Sequence, residues 1–404
     1  MKIRIDNYIV LSLIILPLFE PRGIIDMATS LGGFWGIVDN IFSAIFYLSI
    51  LISVLVIGAN IKKYKPTSLV LLTIAYNLLF VLSCIVNNNF SYYCFFISMR
   101  AIYTVVLFDY LFQKQYSLKV IKVISFWLIF FVAINFLTIV IFKNGMYADS
   151  RGWYTRNFFL GNKNLFLYVF IPCLTFTAAL CQIRYGKMNF KYYLLLVLII
   201  PSCLLTSATT ATITMILFAV LLFFFEKINL PKWITLSNIF ILFTLLTFGF
   251  IFLNFQVAFN NILMYLFSKD STFTSRLYIW NQALQHIIAN PIIGGGNLLF
   301  DMSSIRSWTT GQAHNKYLDI LSISGLVGYV LFFAIVFVCG RKLTNYKNNK
   351  FKNIIFYLFL CYFILFLMEA RREDATIFAL FSFAFHIDDV MSIKRRNTVS
   401  QVTV

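Results

Sequence analysis

Apolar residues along this chain run in unbroken blocks, most of about 18 to 25 residues, that end at short clusters of lysine, arginine, asparagine and glycine. A block of that length covers the roughly 30 Å hydrocarbon core of a bilayer as a helix. Lipid admits only helices and closed barrels, because no backbone group there can turn to water, and a barrel needs an alternation that these blocks lack. The pattern predicts an all-α polytopic membrane protein with about twelve transmembrane helices, at 8–19, 34–58, 68–86, 93–112, 119–142, 165–182, 192–205, 208–225, 235–254, 318–339, 353–368 and 375–386. The first block follows Lys2 and Arg4 as a signal peptide would. Glu20-Pro21-Arg22 comes next without a small-x-small cleavage site, so the block reads as a short first span.

Two polar stretches, 143–164 and 255–317, interrupt the pattern and predict large loops. Residues 1–387 then form one membrane domain that includes both loops, and 388–404 a polar cytoplasmic tail. In the later loop, Ser271 or Thr272 can cap a helix that ends near Asn290-Pro291 and Gly294-Gly295-Gly296. Phe273, Leu277, Trp280, Leu284, Ile287 and Ile288 share one stripe of it, and Thr274, Tyr278, Gln282 and Gln285 another. Such a helix lies on the membrane surface, its apolar face in lipid or on the bundle, with Arg276 at the edge of the stripe.

Composition agrees with the pattern: 60% of residues are apolar, 19% aromatic and 12% charged. The formal charge of +18 is spread over short loops, so it reads as topology and not as a nucleic-acid surface. With both termini in the cytoplasm, 21 of the 33 basic residues fall inside and 11 outside, with Arg100 within a span. Eight of the outer charges stand in the two large loops and two, Arg371 and Arg372, in the small loop 369–374. Arginines kept outside against the positive-inside preference suit an anion. The seven cysteines all sit in or beside apolar blocks, without CxxC or zinc spacing.

Candidate chemistry concentrates in the later loop. His314 stands directly before an apolar helix, where a rigid start would hold a base, although a histidine there can equally be a loop hydrogen-bond partner. Asn315 can cap that helix or bind sugar hydroxyls, and Gly325 and Gly328 would let another helix approach closely. Arg371 and Arg372, among Glu369, Glu373 and Asp374, read as a salt-bridged turn or as the edge of a ligand site. His286 and His386 suggest no role. Arg100 and Asp109, nine residues apart inside a span, and Asp39 are costly charges in lipid and raise the rival reading of a transporter or flippase.

The order Arg276, Trp280, Pro291, the glycine triplet, His314-Asn315, nine residues, Gly325, two residues, Gly328 resembles the shared region of the O-antigen ligase and Wzy-type polysaccharide polymerase superfamily, over about 55 residues. The earlier loop, RGWYTRNFFLGNKNLFL, is similar to the same superfamily in its arginine ahead of a glycine and paired asparagines, with Lys163 where many relatives carry proline. The resemblance implies a C-type glycosyltransferase-like fold in the bacterial cytoplasmic membrane. It implies transfer, on the outer face, of a glycan from undecaprenyl diphosphate. His314 would be the general base; Arg276 with Arg156, or next Arg151, would hold the donor pyrophosphate; Asn315, Arg371 and Arg372 would be weaker substrate contacts. Polymerisation of O-antigen, capsular or exopolysaccharide repeat units is the first expectation, and ligation to lipid A-core the alternative, with a flippase and a chain-length regulator as partners. Only Asp270 and Asp301 stand in the later loop, far apart, so no cofactor and no metal is expected.

Overall fold

In the computed structural model, which describes residues 7–114, 116–148, 156–225, 228, 230–231, 233–252, 272–301, 309–372 and 375–392, each of the twelve apolar blocks lies on helix. The chain opens with Tyr8–Ile15 (α1) and a tight 3₁₀ turn over Leu16–Phe19, then bends by 69° into Arg22–Leu31 (α2). Pro21 stands at that bend, where its missing N–H and fixed φ stop one helix and start the next. Gly33–Ala59 (α3), Ser68–Val86 (α4), Tyr92–Gln113 (α5) and Ser117–Ile141 (α6) follow. A two-stranded hairpin, Asn157–Phe158 (β1) with Gly161–Asn162 (β2), leads into Leu167–Tyr185 (α7). Phe190–Leu205 (α8), Thr209–Phe225 (α9) and Leu236–Phe252 (α10) complete the first part of the bundle.

The later loop contributes the expected surface helix, Thr272–Ala289 (α11), and a second hairpin, Phe300–Asp301 (β3) with Thr309–Thr310 (β4). Lys316–Asn345 (α12), Asn349–Met368 (α13) and Ala375–Phe385 (α14) close the chain, with helical backbone again at 387–392. Seven of these helices are long and apolar enough to cross a membrane, α1 and α2 together form a bent eighth, and α8, α9, α10 and α14 are shorter. The protein is an all-α polytopic membrane protein. α7 and α13 are enclosed by others, whereas α3 turns most of its apolar surface outward, as contact with lipid requires. Of the expected apolar stripe of α11, Trp280 is buried and Leu277, Leu284 and Ile287 pack partly buried beside it, while Ile288 is exposed; Ile279 and Ala283, outside that stripe, are buried with Phe300, Ala313 and Leu318.

Gly325 does not serve a helix crossing as its spacing suggested. Its φ of +62° breaks α12 at its tenth residue, and what approaches it is loop backbone, Ile292 to Gly294. The segment 291–296 fills the break like a short extra strand. Gly295 N–H donates to Ser322 O (2.8 Å) and Gly296 N–H to Ile323 O (3.0 Å), while Leu326 N–H donates to Pro291 O (2.8 Å) and Val327 N–H to Ile292 O (3.1 Å). Ser83 of α4 donates to the carbonyls of both Gly294 and Ile323, each at 3.0 Å. These bonds satisfy backbone groups that the broken helix would leave exposed to hydrocarbon.

The charges within the spans are also satisfied internally. Arg100 donates to the carbonyls of Pro17 (3.1 Å) and Leu18 (3.5 Å), where the 3₁₀ turn frees them. Asp109, fully buried, accepts from Tyr64 (2.8 Å), Thr67 (2.7 Å) and Gln113 (3.0 Å) and pairs with His386 at 2.8 Å. His386, for which sequence alone suggests no role, bridges Asp109 and Asp389. These ties account for two of the three charges that raised the transporter reading; Asp39 is half-buried on α3.

Candidate active site

The beginning of α12 sets the geometry. Asn315 is its N-cap: the side-chain oxygen accepts from Leu318 N–H (3.1 Å), and the amide donates to Thr247 of α10 and to the carbonyl of Leu367 of α13, both at 3.2 Å. At 1% exposure this side chain acts as a cap and a brace, and of its two readings the structure displays this one. His314, just outside the helix, takes a left-handed conformation with φ +49°, a strained choice for a residue with a Cβ. Its ring hydrogen-bonds to Glu369.

Glu369 is the C-cap of α13, where the chain becomes extended after Met368. Its carboxylate joins the two residues that the sequence singled out. Oε2 lies 3.2 Å from His314 Nδ1, and Oε1 lies 3.0 Å from Arg276 Nη2, on α11. Arg276 Nη1 also rests on the sulfur of Met368 at 3.2 Å. The Glu369 side chain is 10% exposed, those of Arg276 and His314 20% and 22%, so the cation and the imidazole keep an open edge while the acid between them is covered. Burial pushes the Glu369 carboxyl up, but the bond from His314 and the charge of Arg276 outweigh it and hold the group below its ordinary 4.5. An ionised carboxylate only accepts, so the contact has Nδ1 carrying a proton and directs Nε2 away from Glu369. The carboxylate fixes the orientation of the imidazole and holds Arg276 on its other oxygen.

Glu369→Gln is expected to slow the reaction about 10- to 100-fold, because the imidazole loses the partner that orients it. A carboxyl held below its unfolded value contributes stability that is complete above that value and is lost as pH falls through the depressed one. Melting curves in detergent should therefore show Glu369→Gln less stable than wild type at neutral pH, with the two converging in acid. Equal rates and equal melting at pH 7 would remove Glu369 from the site.

The remaining residues are placed differently. Arg372 is buried against Asp319 of α12: Nη2 lies 3.0 Å from Oδ1, and Nη1 donates to Asn297 Oδ1 and Leu298 O, both at 3.3 Å. It thus ties the last loop to α12 and to the glycine segment. Arg371 is half-buried, its guanidinium 5.7 Å from the centre of the Tyr168 ring, and its carbonyl accepts from Lys316 at 3.4 Å. Arg156 is exposed and its guanidinium donates to Lys143 O at 2.6 Å, closing its own loop. Arg151 lies outside the described residues. His286 packs against Phe300, and burial lowers its pKa. Among the described residues no three His, Cys, Asp or Glu side chains are grouped as metal ligands.

An all-helical membrane bundle thus holds, at one end, an imidazole and an arginine on one shared carboxylate. Comparison with known proteins places the chain more closely. Residues 194–333, about a third of the chain, match the family model described as O-antigen ligase (Wzy_C). A protein of Rickettsia conorii, named as a candidate polysaccharide ligase, is 28% identical over 114 residues, 25% of this chain and 27% of its own length. The matched family segment contains Arg276 and His314 but ends before Glu369, and Arg156 precedes it.

Proposed function

We propose that the protein transfers a glycan from a polyprenyl diphosphate, undecaprenyl diphosphate in bacteria, to a hydroxyl of an acceptor glycan, lengthening a surface polysaccharide. The observation that carries this reading is the His314–Glu369–Arg276 cluster. The acceptor oxygen forms a bond to the anomeric carbon and gives its proton to His314 Nε2. The bond from that carbon to the diphosphate breaks, and its electron pair leaves with the lipid, whose growing negative charge Arg276 faces. Arg156 and Arg151 are the further candidates to hold that diphosphate. The excess of basic residues in the alternate loops supports placing both termini in the cytoplasm and the cluster on the outer face of the cytoplasmic membrane.

Polymerisation of repeat units is the reaction we favour, with a flippase supplying the donor and a chain-length regulator as a partner. Ligation to lipid A-core is the second reading, favoured by the words under which both comparisons are described. A deletion strain separates them on a polysaccharide gel. Return of long chains from single-repeat material on complementation means polymerase; attachment of a polymer already built on its carrier means ligase. We further propose that Arg276 supplies the charge a divalent cation would otherwise bring, so transfer by the purified protein should proceed unchanged in EDTA. Loss of activity in EDTA that magnesium restores would refute this.

A further inference from the structure

Arg276 is held by two consecutive residues of unequal strength, both at the end of α13: Met368 is the last residue of that helix and Glu369 its C-cap. The carboxylate takes Nη2 in a charge-assisted bond of 3.0 Å, and the thioether sulfur takes Nη1 at 3.2 Å. Among the described residues these are the partners of the guanidinium. They differ in kind, because an ionised carboxylate is a strong acceptor and a thioether sulfur a weak one. They differ in freedom as well. Glu369 is buried and also bonded to His314, whereas Met368 is half-buried and carries its sulfur on a flexible, unbranched side chain.

The guanidinium is thus a fork with one fixed arm and one replaceable arm. Glu369 sets where the cation stands and keeps it there when an anion arrives, because parting from Arg276 would leave a buried carboxylate without its cation. Met368 sets where Nη1 points but gives it up at little cost, since a diphosphate oxygen replaces a weak neutral acceptor by a charged one. An amide or carboxylate oxygen in the place of the sulfur would hold the same N–H more tightly, and an incoming anion would have to displace it. We propose that Met368 is a positioning residue for the donor: it keeps the second arm of Arg276 aimed until the diphosphate of the lipid takes that arm, and then swings aside. The inference rests on the reading in which Arg276 faces the leaving diphosphate.

The test uses full-length protein in detergent, with a short prenyl diphosphate as the binding probe and the lipid-linked donor for turnover. Wild type should bind the probe, and Arg276→Ala should bind it about 10-fold more weakly or worse. Met368→Gln has nearly the length of methionine but offers Nη1 an amide oxygen. It should bind the probe about 10-fold more weakly than wild type, the effect of one bond to a charged group that must first be exchanged. Met368→Leu offers Nη1 no acceptor and should bind at least as tightly as wild type. In turnover, the loss in Met368→Gln should appear in KM for the donor and not in kcat, because the partner of Nη1 is displaced when the donor binds. A merely structural role would move both variants in one direction and lower kcat with them. If Met368→Gln fails to fold, hydrogen peroxide makes a comparable acceptor in folded wild type: the sulfur takes one oxygen atom, the peroxide leaves as water, and the sulfoxide oxygen holds Nη1. That treatment should weaken probe binding about 10-fold in wild type and leave Met368→Leu, which keeps the other methionines, unchanged. The proposal is overturned if Met368→Gln or the oxidised protein binds the probe as untreated wild type does, or if Met368→Leu binds it more weakly. Failure of wild type to bind, or full binding by Arg276→Ala, overturns the placement of the diphosphate and this proposal with it; the outcomes for the Met368 variants bear on Met368 alone.

Discussion

Replacing His314 with alanine is expected to lower the rate of glycan transfer by about 10²- to 10⁴-fold, the usual contribution of a positioned general base, while the protein still folds. The hydrogen bond of the ring is to Glu369, and more than a fifth of the side chain is open, so little packing is lost. Glu369 keeps Arg276 after the change and is not left as a bare buried charge. The backbone at φ +49° is the one complication, since left-handed geometry costs about 1 kcal/mol for alanine and less for asparagine. His314→Asn is therefore the companion variant, expected to melt with wild type yet be as inactive as the alanine. Complementation of the deletion strain, read on the polysaccharide gel at matched protein level, is the measurement. Normal long chains from either variant would show that His314 is not the base.

Arg372→Ala should act on the fold, destabilising the protein by about 3–5 kcal/mol, the effect of removing one partner of a buried ion pair. Asp319 is fully buried, and beyond Arg372 it accepts from the backbone N–H of Ala313 at 3.2 Å. The loss would also free the glycine segment, since the same guanidinium holds Asn297 and Leu298. Arg371→Ala, one residue away, should leave thermal unfolding within about 1 kcal/mol of wild type, the usual range for a partly exposed residue outside such a network. Joint replacement, Arg372→Met with Asp319→Leu, should recover much of what the single change loses, because no unpaired charge remains. An Arg372→Ala protein that melts with wild type would show that the pair does not hold this end of the bundle.

The two arginines show where the sequence stopped being informative. Side by side among acids, Arg371 and Arg372 read alike; Arg372 is a buried brace on Asp319, whereas Arg371 is half-buried beside the Tyr168 ring. The helices were legible because hydrocarbon selects long apolar runs, and the described parts of the blocks fall on helix, with seven helices and the bent first pair of spanning length. Arg276 and His314 were legible through a resemblance, but the acid between them was not. Glu369 lies 55 residues beyond His314, in no motif, and only the packing of α13 on α12 brings it there. The same holds for Gly325, whose spacing pointed to a helix crossing while its positive φ admits a loop. Charges such as Asp109 looked functional for want of partners that lie far away in sequence, His386 above all.

The lacing of residues 291–296 into the break at Gly325 has a mechanical consequence. Bilayers differ in thickness, and long helices meet the difference by tilting. Because the loop is bonded on both sides of the break, to Ser322 and Ile323 above it and to Leu326 and Val327 below it, a tilt of the lower part of α12 is passed to the loop. α11, which carries Arg276, leads directly into that loop, so Arg276 and the start of α12 would shift together with it as one piece.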